Sequence, residues 1–262
     1  MYLTGKQSVK WKDFPDMGEF VDRMEREDAI RPCKDQPVWH YDEEIRWNLS
    51  GDRVLTIGAR NPDYLVKMPD YEIPNYDLER QFEARKGPAP WIRGKKNITS
   101  VIIDTNISTI GTYAFYGCTG LESARLPDSV KLISNFAFSG CKCLTSVSIL
   151  DSVTAIGRYA FYDCKSLKSV RIPDSVATIG AYAFRGCTGL TDVIIPDSVK
   201  TIGSETFKGC ISLTSVKIPD SVITIFWSAF ANCDNLKEIS LPAGVTFYGD
   251  SFPPNAKITV RR

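Results

Sequence analysis

The stretch 167-LKSVRIPDSVATIGAYAFRGCTG-189 decides the fold, because near-copies of it recur through the C-terminal part of the chain. The copies begin 23 residues apart, at Ile98, Leu121, Leu144, Leu167, Leu190, Leu213 and Leu236. A fixed short period is the signature of a solenoid, in which one coil cannot bury its apolar face without neighbours. We therefore expect a stack of about seven coils, and a function that depends on a long ordered surface.

Each recurring slot of the unit has a physical role. The alternating pair Val170 and Ile172 predicts a short strand whose other side chains face outward. The Pro-Asp pair at 173–174 predicts a turn, and the Ala-Phe pair at 183–184 predicts a short helical turn that stacks phenylalanine in the core. That helical turn should end in a left-handed residue, because the slot before the repeated cysteine holds only Gly, Asp or Asn. The slot is occupied by Gly117, Gly140, Asp163, Gly186, Gly209 and Asn232.

The pattern I-P-x-x-V-x-x-I-G-x-x-A-F-x-G-C resembles the bacterial leucine-rich repeats of the BspA-like type, over about residues 45–250. The resemblance implies a curved leucine-rich-repeat solenoid that binds proteins or surfaces, and it implies no enzymatic activity. The chain departs from the pattern at Asp104 and Leu150, which replace the turn proline, and at Phe226-Trp227, where other coils have glycine or serine in the first position.

Two regions are expected, with a boundary near Gly94-Lys95-Lys96. Residues 1–96 form an α+β N-terminal region with short helices at 13–29 and 77–86, a capping hairpin built from 47–49 and 54–57, and a loop. Residues 97–262 form the solenoid with a C-terminal cap. An open solenoid end needs a cap, so capping is the expected role of the first region. A separate binding role for residues 1–40 is the alternative.

Six of the eight cysteines occupy one slot of the repeat: Cys118, Cys141, Cys164, Cys187, Cys210 and Cys233. We expect a column of reduced, buried thiols, because parallel stacking does not supply the converging geometry of a disulfide. A metal site is not expected, since the slots lack histidine and carboxylate partners.

Catalytic and cofactor motifs are not found in the sequence. The single histidine, His40, has a cysteine nearby at Cys33, but no further signature of a nucleophile and base surrounds them. No phosphate-binding loop, dinucleotide fingerprint or zinc-protease motif occurs. We therefore predict no catalytic residue, no cofactor and no metal.

The candidate binding surface is the outward strand face. One column carries Ser100, Ser123, Ser146, Ser169, Asp192, Ser215 and Glu238, and the next carries Ile102, Arg125, Ser148, Arg171, Ile194, Lys217 and Ser240. Cations at Arg125, Arg171 and Lys217 beside Ile102 and Ile194 favour a partner that bears carboxylates and apolar groups. A merely solvated sheet is the alternative.

The pair Phe226-Trp227 is the other candidate binding site. Packing against a C-terminal cap that contains Phe247, Tyr248 and Phe252 is the expected role, and an aromatic hot spot for a partner is the alternative.

These observations predict a non-enzymatic protein–protein interaction module, acting as a subunit or regulator of a larger assembly. The alternative is a secreted or cell-surface adhesion module. A net charge of +1 gives no reason to expect nucleic acid. No apolar run approaches the ~18 residues of a membrane span, and no apolar leader stands at the start. Six unpaired thiols favour the cytoplasm.

Overall fold

The computed structural model describes residues 40–41, 44–71, 89–91 and 94–261. Over these residues the predicted solenoid is confirmed, with parallel strands that repeat in register every 23 residues, as in the pairing of Ser100 with Ser123 and of Ser123 with Ser146. The predicted helices at 13–29 and 77–86, and Cys33, lie outside the described residues.

The described residues contain strands of two to six residues, named here in chain order. They are β1 (His40–Tyr41), β2 (Ile45–Leu49), β3 (Val54–Ala59), β4 (Val66–Lys67), β5 (Ser100–Ile103), β6 (Ile107–Ile110), β7 (Ser123–Arg125), β8 (Leu132–Ile133), β9 (Ser146–Ser148), β10 (Ala155–Ile156), β11 (Ser169–Arg171), β12 (Thr178–Ile179), β13 (Asp192–Ile194), β14 (Thr201–Ile202), β15 (Thr224–Ile225), β16 (Glu238–Leu241), β17 (Thr246–Phe247) and β18 (Lys257–Val260).

Two strand ladders run along the stack. One sheet has the order β1-β2-β3-β5-β7-β9, and the same ladder resumes with β11-β13 and β16-β18, with Lys217 bridging Ile194 to Ser240. We call its outward side the strand face. The second ladder has the orders β4-β6-β8-β10-β12 and β14-β15-β17. Each coil thus contributes one strand to each ladder, except that the sixth coil contributes to the first ladder only the isolated bridges of Lys217 to Ile194 and Ser240.

An antiparallel hairpin lies where the sequence predicted one, before the first coil. Strands β2 and β3 pair antiparallel with Trp47 opposite Ile57, and β3 then pairs in parallel with β5 of the first coil. The hairpin is therefore continuous with the solenoid sheet and covers its first rung. Strand β1, which extends the hairpin, was not predicted.

The core is a stack of identical side chains from successive coils. Phe115, Phe138, Phe161, Phe184, Phe207 and Phe230 are fully buried. Their rings lie 5.0–5.5 Å apart, close to the spacing of the coils. The predicted phenylalanine column is thus present, and Trp91 and Phe252 extend it at the two ends.

Polar side chains tie each coil to the one before it. In the turn after the first strand, a serine hydroxyl donates to a backbone carbonyl 22 residues earlier, as Ser175 does to Val153. The same bond recurs from Ser129, Ser152, Ser198 and Ser221. These serines satisfy carbonyl oxygens at the coil corners, where strand pairing is interrupted.

The short helical turn predicted at Ala-Phe is not formed. In the first coil, Ala114, Tyr116 and Cys118 donate their amides to carbonyls three residues earlier, whereas the amides of Tyr113, Phe115 and Gly117 donate to the next coil. The segment is therefore a chain of overlapping β-turns that is hydrogen-bonded to its neighbours. The helical turn was predicted from the residues of a single coil. In the structure, every second amide of this segment donates its hydrogen bond to the next coil and so cannot contribute to a helix.

The left-handed slot before the repeated cysteine is confirmed, with φ between 55° and 75° at all six residues. A second left-handed column was not predicted. It consists of Tyr113, Phe136, Tyr159, Tyr182, Glu205 and Ser228, with φ from 54° to 64°. Each is the third residue of a β-turn, the position that is left-handed in a type II turn. A left-handed L-residue costs about 1–2 kcal/mol, and at the four aromatic positions ring stacking offsets this cost.

Glycine is required where one coil approaches the backbone of another. A Cβ built on Gly180 would lie 2.5 Å from the backbone nitrogen of Arg158, whereas a Cβ on Gly203 would find its nearest atom, the Cα of Ala181, at 3.1 Å. We expect Gly180→Ala to destabilise the protein by about 2 kcal/mol, because the neighbouring backbone must move. The matched control Gly203→Ala should change the free energy of unfolding by less than about 1 kcal/mol. Urea unfolding measures both; equal losses would contradict the close-approach argument.

Candidate binding surface

The strand face presents the two predicted columns to solvent. In the second column, Ile102 and Ile194 are 44% and 60% exposed, and Arg125, Arg171 and Lys217 are exposed as well. Strand alternation explains this, because Val170 and Ile172 on either side of Arg171 are buried. The structure places the five residues in one line, since parallel pairing sets Ile102 beside Arg125, Arg171 beside Ile194 and Ile194 beside Lys217.

The three cations of this line are available for a partner. Among the described residues, none of Arg125, Arg171 and Lys217 forms an ion pair, although five other pairs are present. They stand on alternate coils and so are ~10 Å apart, at ~4.8 Å per coil. A row of unpaired cations at that pitch would attract an extended acidic segment and raise its rate of association.

Small side chains line the column beside the cations. Ser146, Ser169 and Ser215 are exposed, and the hydroxyls of Ser100 and Ser123 are 3.2 Å apart. Apart from Asp192 and Glu238, the side chains of this column are small, and the arginine and isoleucine side chains of the second column beside it are exposed.

The pair Phe226-Trp227 has both of the features that the sequence left open. Phe226 stacks on Tyr248 with ring centroids 5.6 Å apart, and Trp227 contacts the same tyrosine at 4.6 Å. Phe252 instead packs on Phe230 and Phe247. Trp227 nevertheless remains 54% exposed. The pair thus packs on the last coil and also offers an aromatic surface to solvent.

A column of stacked aromatic side chains beside the turns leaves no ring face free between its members for an aromatic side chain of a partner. Tyr113, Phe136, Tyr159 and Tyr182 form a half-buried stack with centroids 4.4–4.8 Å apart, so each ring face is covered by the next. Arg185 lies over Tyr162 and Tyr182 and pairs with Glu205, which replaces the aromatic residue in the following coil. The sequence did not predict the contact of Arg185 with Glu205, because it depends on position 185 lying beside position 205 in the next coil.

The repeated cysteines are buried thiols, as expected, and all seven described cysteines are free. The thiols of Cys141, Cys164, Cys187, Cys210 and Cys233 each donate to the carbonyl of the phenylalanine 26 residues earlier, at 3.1–3.3 Å. Burial raises the pKa of the Cys118 thiol to about 12, against a smaller lowering by Lys95. Burial is also the main cause that raises the pKa of Cys141, Cys164, Cys187 and Cys210. These thiols are therefore protonated and unreactive near neutral pH.

His40 stacks on Trp47 in the capping hairpin, with ring centroids 4.3 Å apart. No cluster of three or more histidine, cysteine, aspartate or glutamate residues that could hold a metal ion occurs in the described part of the chain. Across the same residues, no helix has the length and apolar character needed to cross a membrane.

Residues 93–173 and 154–259 match the family model of the BspA type leucine rich repeat region, in six copies. This match covers more than half of the chain, and the chain belongs to that family. Its repeats generally serve as protein-interaction modules, and no catalytic family is indicated.

Solved structures of bacterial leucine-rich repeat proteins are similar to the chain. One is from Bacteroides ovatus, with 28% identity over 85% of this chain and 57% of that one, and a TM-score of 0.60. Another is from T. pallidum, with 27% identity over 75% of this chain and 90% of that one, and a TM-score of 0.55. The chain thus spans less than two thirds of the Bacteroides protein. No curated protein matches it.

Proposed function

We propose that the chain is a non-enzymatic module that binds a partner protein along its strand face, as a subunit or regulator of a larger assembly. The observation that supports this most directly is the line of exposed Ile102, Arg125, Arg171, Ile194 and Lys217. Its three cations have no ion pairs among the described residues, although ion pairs occur elsewhere, such as Arg185 with Glu205 and Arg261 with Asp220. The partner should be an extended segment with carboxylates about 10 Å apart, twice the strand spacing.

The strand face suits this role because it can be changed without changing the fold. The side chains that hold the coils together point inward or lie at the turns, whereas those of the second column contact solvent. Exposed substitutions usually change stability by less than about 0.5 kcal/mol. Loss of binding in a strand-face variant can therefore be separated from loss of folding.

The test is capture of the partner from the source organism with the wild-type protein and with two variants. We expect the triple variant Arg125→Ser, Arg171→Ser and Lys217→Ser to reduce recovery of the partner at least about tenfold. Removing the cations that pair with carboxylates of the partner weakens and slows association. Phe226→Gly with Trp227→Ser should bind normally. Quantitative mass spectrometry measures recovery, and circular dichroism confirms that each variant is folded.

The opposite result would identify the other surface. If the triple variant binds normally and the aromatic variant does not, the site is the exposed ring of Trp227 at the C-terminal coil. We also propose a cytoplasmic location, because free thiols persist in reducing compartments. Capture performed after crosslinking in intact cells tests it: if every captured partner is a secreted or surface protein, the chain acts as an adhesion module instead.

A further inference from the structure

The strand face borders a groove in its first three coils. The groove has a volume of about 490 Å³ and lies where the strands run into the Pro-Asp turns. Its lining includes Ile102, Asp104, Arg125, Leu126, Asp128 and Leu150. We call these residues the first-coils groove. Two residues of the second column, Ile102 and Arg125, line this groove, so the proposed binding surface includes a concave part here.

Both of the coils that lack the turn proline contribute to this groove. Of the seven turn slots, 104 and 150 are the two that hold another residue, and they flank Pro127. The Asp104 carboxylate is turned toward the hairpin, where it lies 3.6 Å from Arg46. It fills space that Gly58 leaves, since a Cβ there would lie 2.2 Å from Oδ2 of Asp104. Leu150 supplies a half-buried apolar wall on the opposite side.

The groove contains three charged residues, and they differ in whether they form an ion pair. Asp104 forms an ion pair with Arg46, whereas Arg125 and Asp128 have no ion pair with any described residue. Ile102, which is 44% exposed, pairs in register with Arg125 and stands beside it. The groove therefore offers apolar contacts at Ile102 and Leu150, together with one cation and one anion that have no ion pair with any described residue. A single cation next to an anion is a poor receptor for phosphate, which requires several donors.

We propose that the first-coils groove anchors an extended protein segment that carries an apolar side chain next to a carboxylate. This inference rests on the proposed function and names the anchor point of its partner. The apolar side chain packs against Ile102 and Leu150, and the carboxylate accepts two hydrogen bonds from the Arg125 guanidinium. Asp128 disfavours a second adjacent carboxylate, and so fixes the register of the segment.

The experiment measures binding of a defined probe to the full chain. The probe is fluorescein-labelled Gly-Ser-Leu-Asp-Leu-Ser-Gly amide, compared with the same peptide carrying Asn in place of Asp, and fluorescence anisotropy gives each Kd. We expect the Asp peptide to bind at least about tenfold more tightly than the Asn peptide, because only the carboxylate forms a charge-assisted pair. Arg125→Gln should remove that difference.

Two variants isolate the groove from the rest of the strand face. Leu150→Pro restores the residue that most other coils have, so it should fold, and we expect it to weaken the probe about tenfold by removing the apolar wall. Arg171→Gln removes a cation of the same column outside the groove, in a coil that has the turn proline. It should weaken binding of the probe less than about twofold.

The outcomes separate this inference from the proposed function. If Arg125→Gln and Arg171→Gln weaken the probe equally, the groove adds nothing, although the strand face still binds. If the wild-type chain binds neither peptide, or binds both equally, the anchor chemistry is wrong, while capture of the natural partner still tests the strand face. Preference for inorganic phosphate or an RNA oligonucleotide over the Asp peptide would also overturn it.

Discussion

Above about pH 9 the protein should lose stability steeply, because burial raises the pKa of five thiols in the folded state. These thiols are Cys118, Cys141, Cys164, Cys187 and Cys210. In the unfolded chain a thiol has a pKa of about 8.5. The stabilising effect is therefore complete below about pH 8.5 and is lost as the pH rises from there toward the folded-state pKa.

The size of the effect follows from the number of thiols. Each thiol that ionises only in the unfolded state costs about 1.4 kcal/mol per pH unit. Five such thiols near pH 10 lower the free energy of unfolding by about 7 kcal/mol per pH unit. Because domains are stable by about 5–15 kcal/mol, unfolding should occur within one to two pH units. The raised pKa values of Tyr113 and Tyr159 act in the same direction.

Circular dichroism as a function of pH, at constant ionic strength and with a reductant present, measures this transition. Cys164→Ala should reduce the slope by about one fifth, because it removes one of the five thiols. Cys143→Ser is the matched control, since Cys143 is exposed and should leave the curve unchanged. A protein that stays folded to about pH 11.5, or a slope that Cys164→Ala does not alter, would contradict the role of the thiol column.

Much of the fold could be predicted because single side chains report the local backbone. Gly, Asp or Asn at position 117 and its equivalents indicated a left-handed residue, and all six have that conformation. The alternation around Arg171 indicated which side chains face outward, and the columns of phenylalanine and cysteine followed from the period alone. In each case, the residues of a single coil are enough to predict the feature, and the repeat then places it in every coil.

Features that depend on two coils were missed. The left-handed conformation of Tyr113 and Tyr159 has no signature, since tyrosine ordinarily avoids it, and it is stabilised by ring stacking between coils. The helical turn was predicted wrongly for the same reason, because the amide of Phe115 bonds to the next coil.

The candidate site shows the same division. Exposure of Ile102 and Arg125 followed from strand alternation, but the groove beside them did not. It is lined by Asp104, whose carboxylate lies beside Arg46, and by Leu150, which lies two coils away. The sequence marked both positions as departures from the repeat, and only the three-dimensional arrangement brings them to one place.

Replacing Phe161 with alanine should destabilise the protein by about 3–5 kcal/mol, the usual cost of removing a buried phenylalanine. Phe161 is fully buried, and its ring is stacked between Phe138 and Phe184 at 5.3 Å on each side, within 4° of parallel. Its removal leaves a cavity bordered by two rings that cannot approach each other, because inter-coil backbone hydrogen bonds hold their spacing.

The position of Phe161 makes the loss cooperative. In a solenoid, each coil is stabilised mainly by its two neighbours, so a defect in the third coil weakens two interfaces at once and separates the array into two shorter stacks. Urea unfolding gives the overall loss, and hydrogen exchange should show the greatest loss of protection in the coils next to 161. Phe136→Tyr is the control, because equivalent coils already carry tyrosine there, and we expect a change below about 0.5 kcal/mol. A loss below about 1 kcal/mol for Phe161→Ala would mean that the ring column does not hold the coils together, and that the backbone ladders and the serine hydrogen bonds suffice.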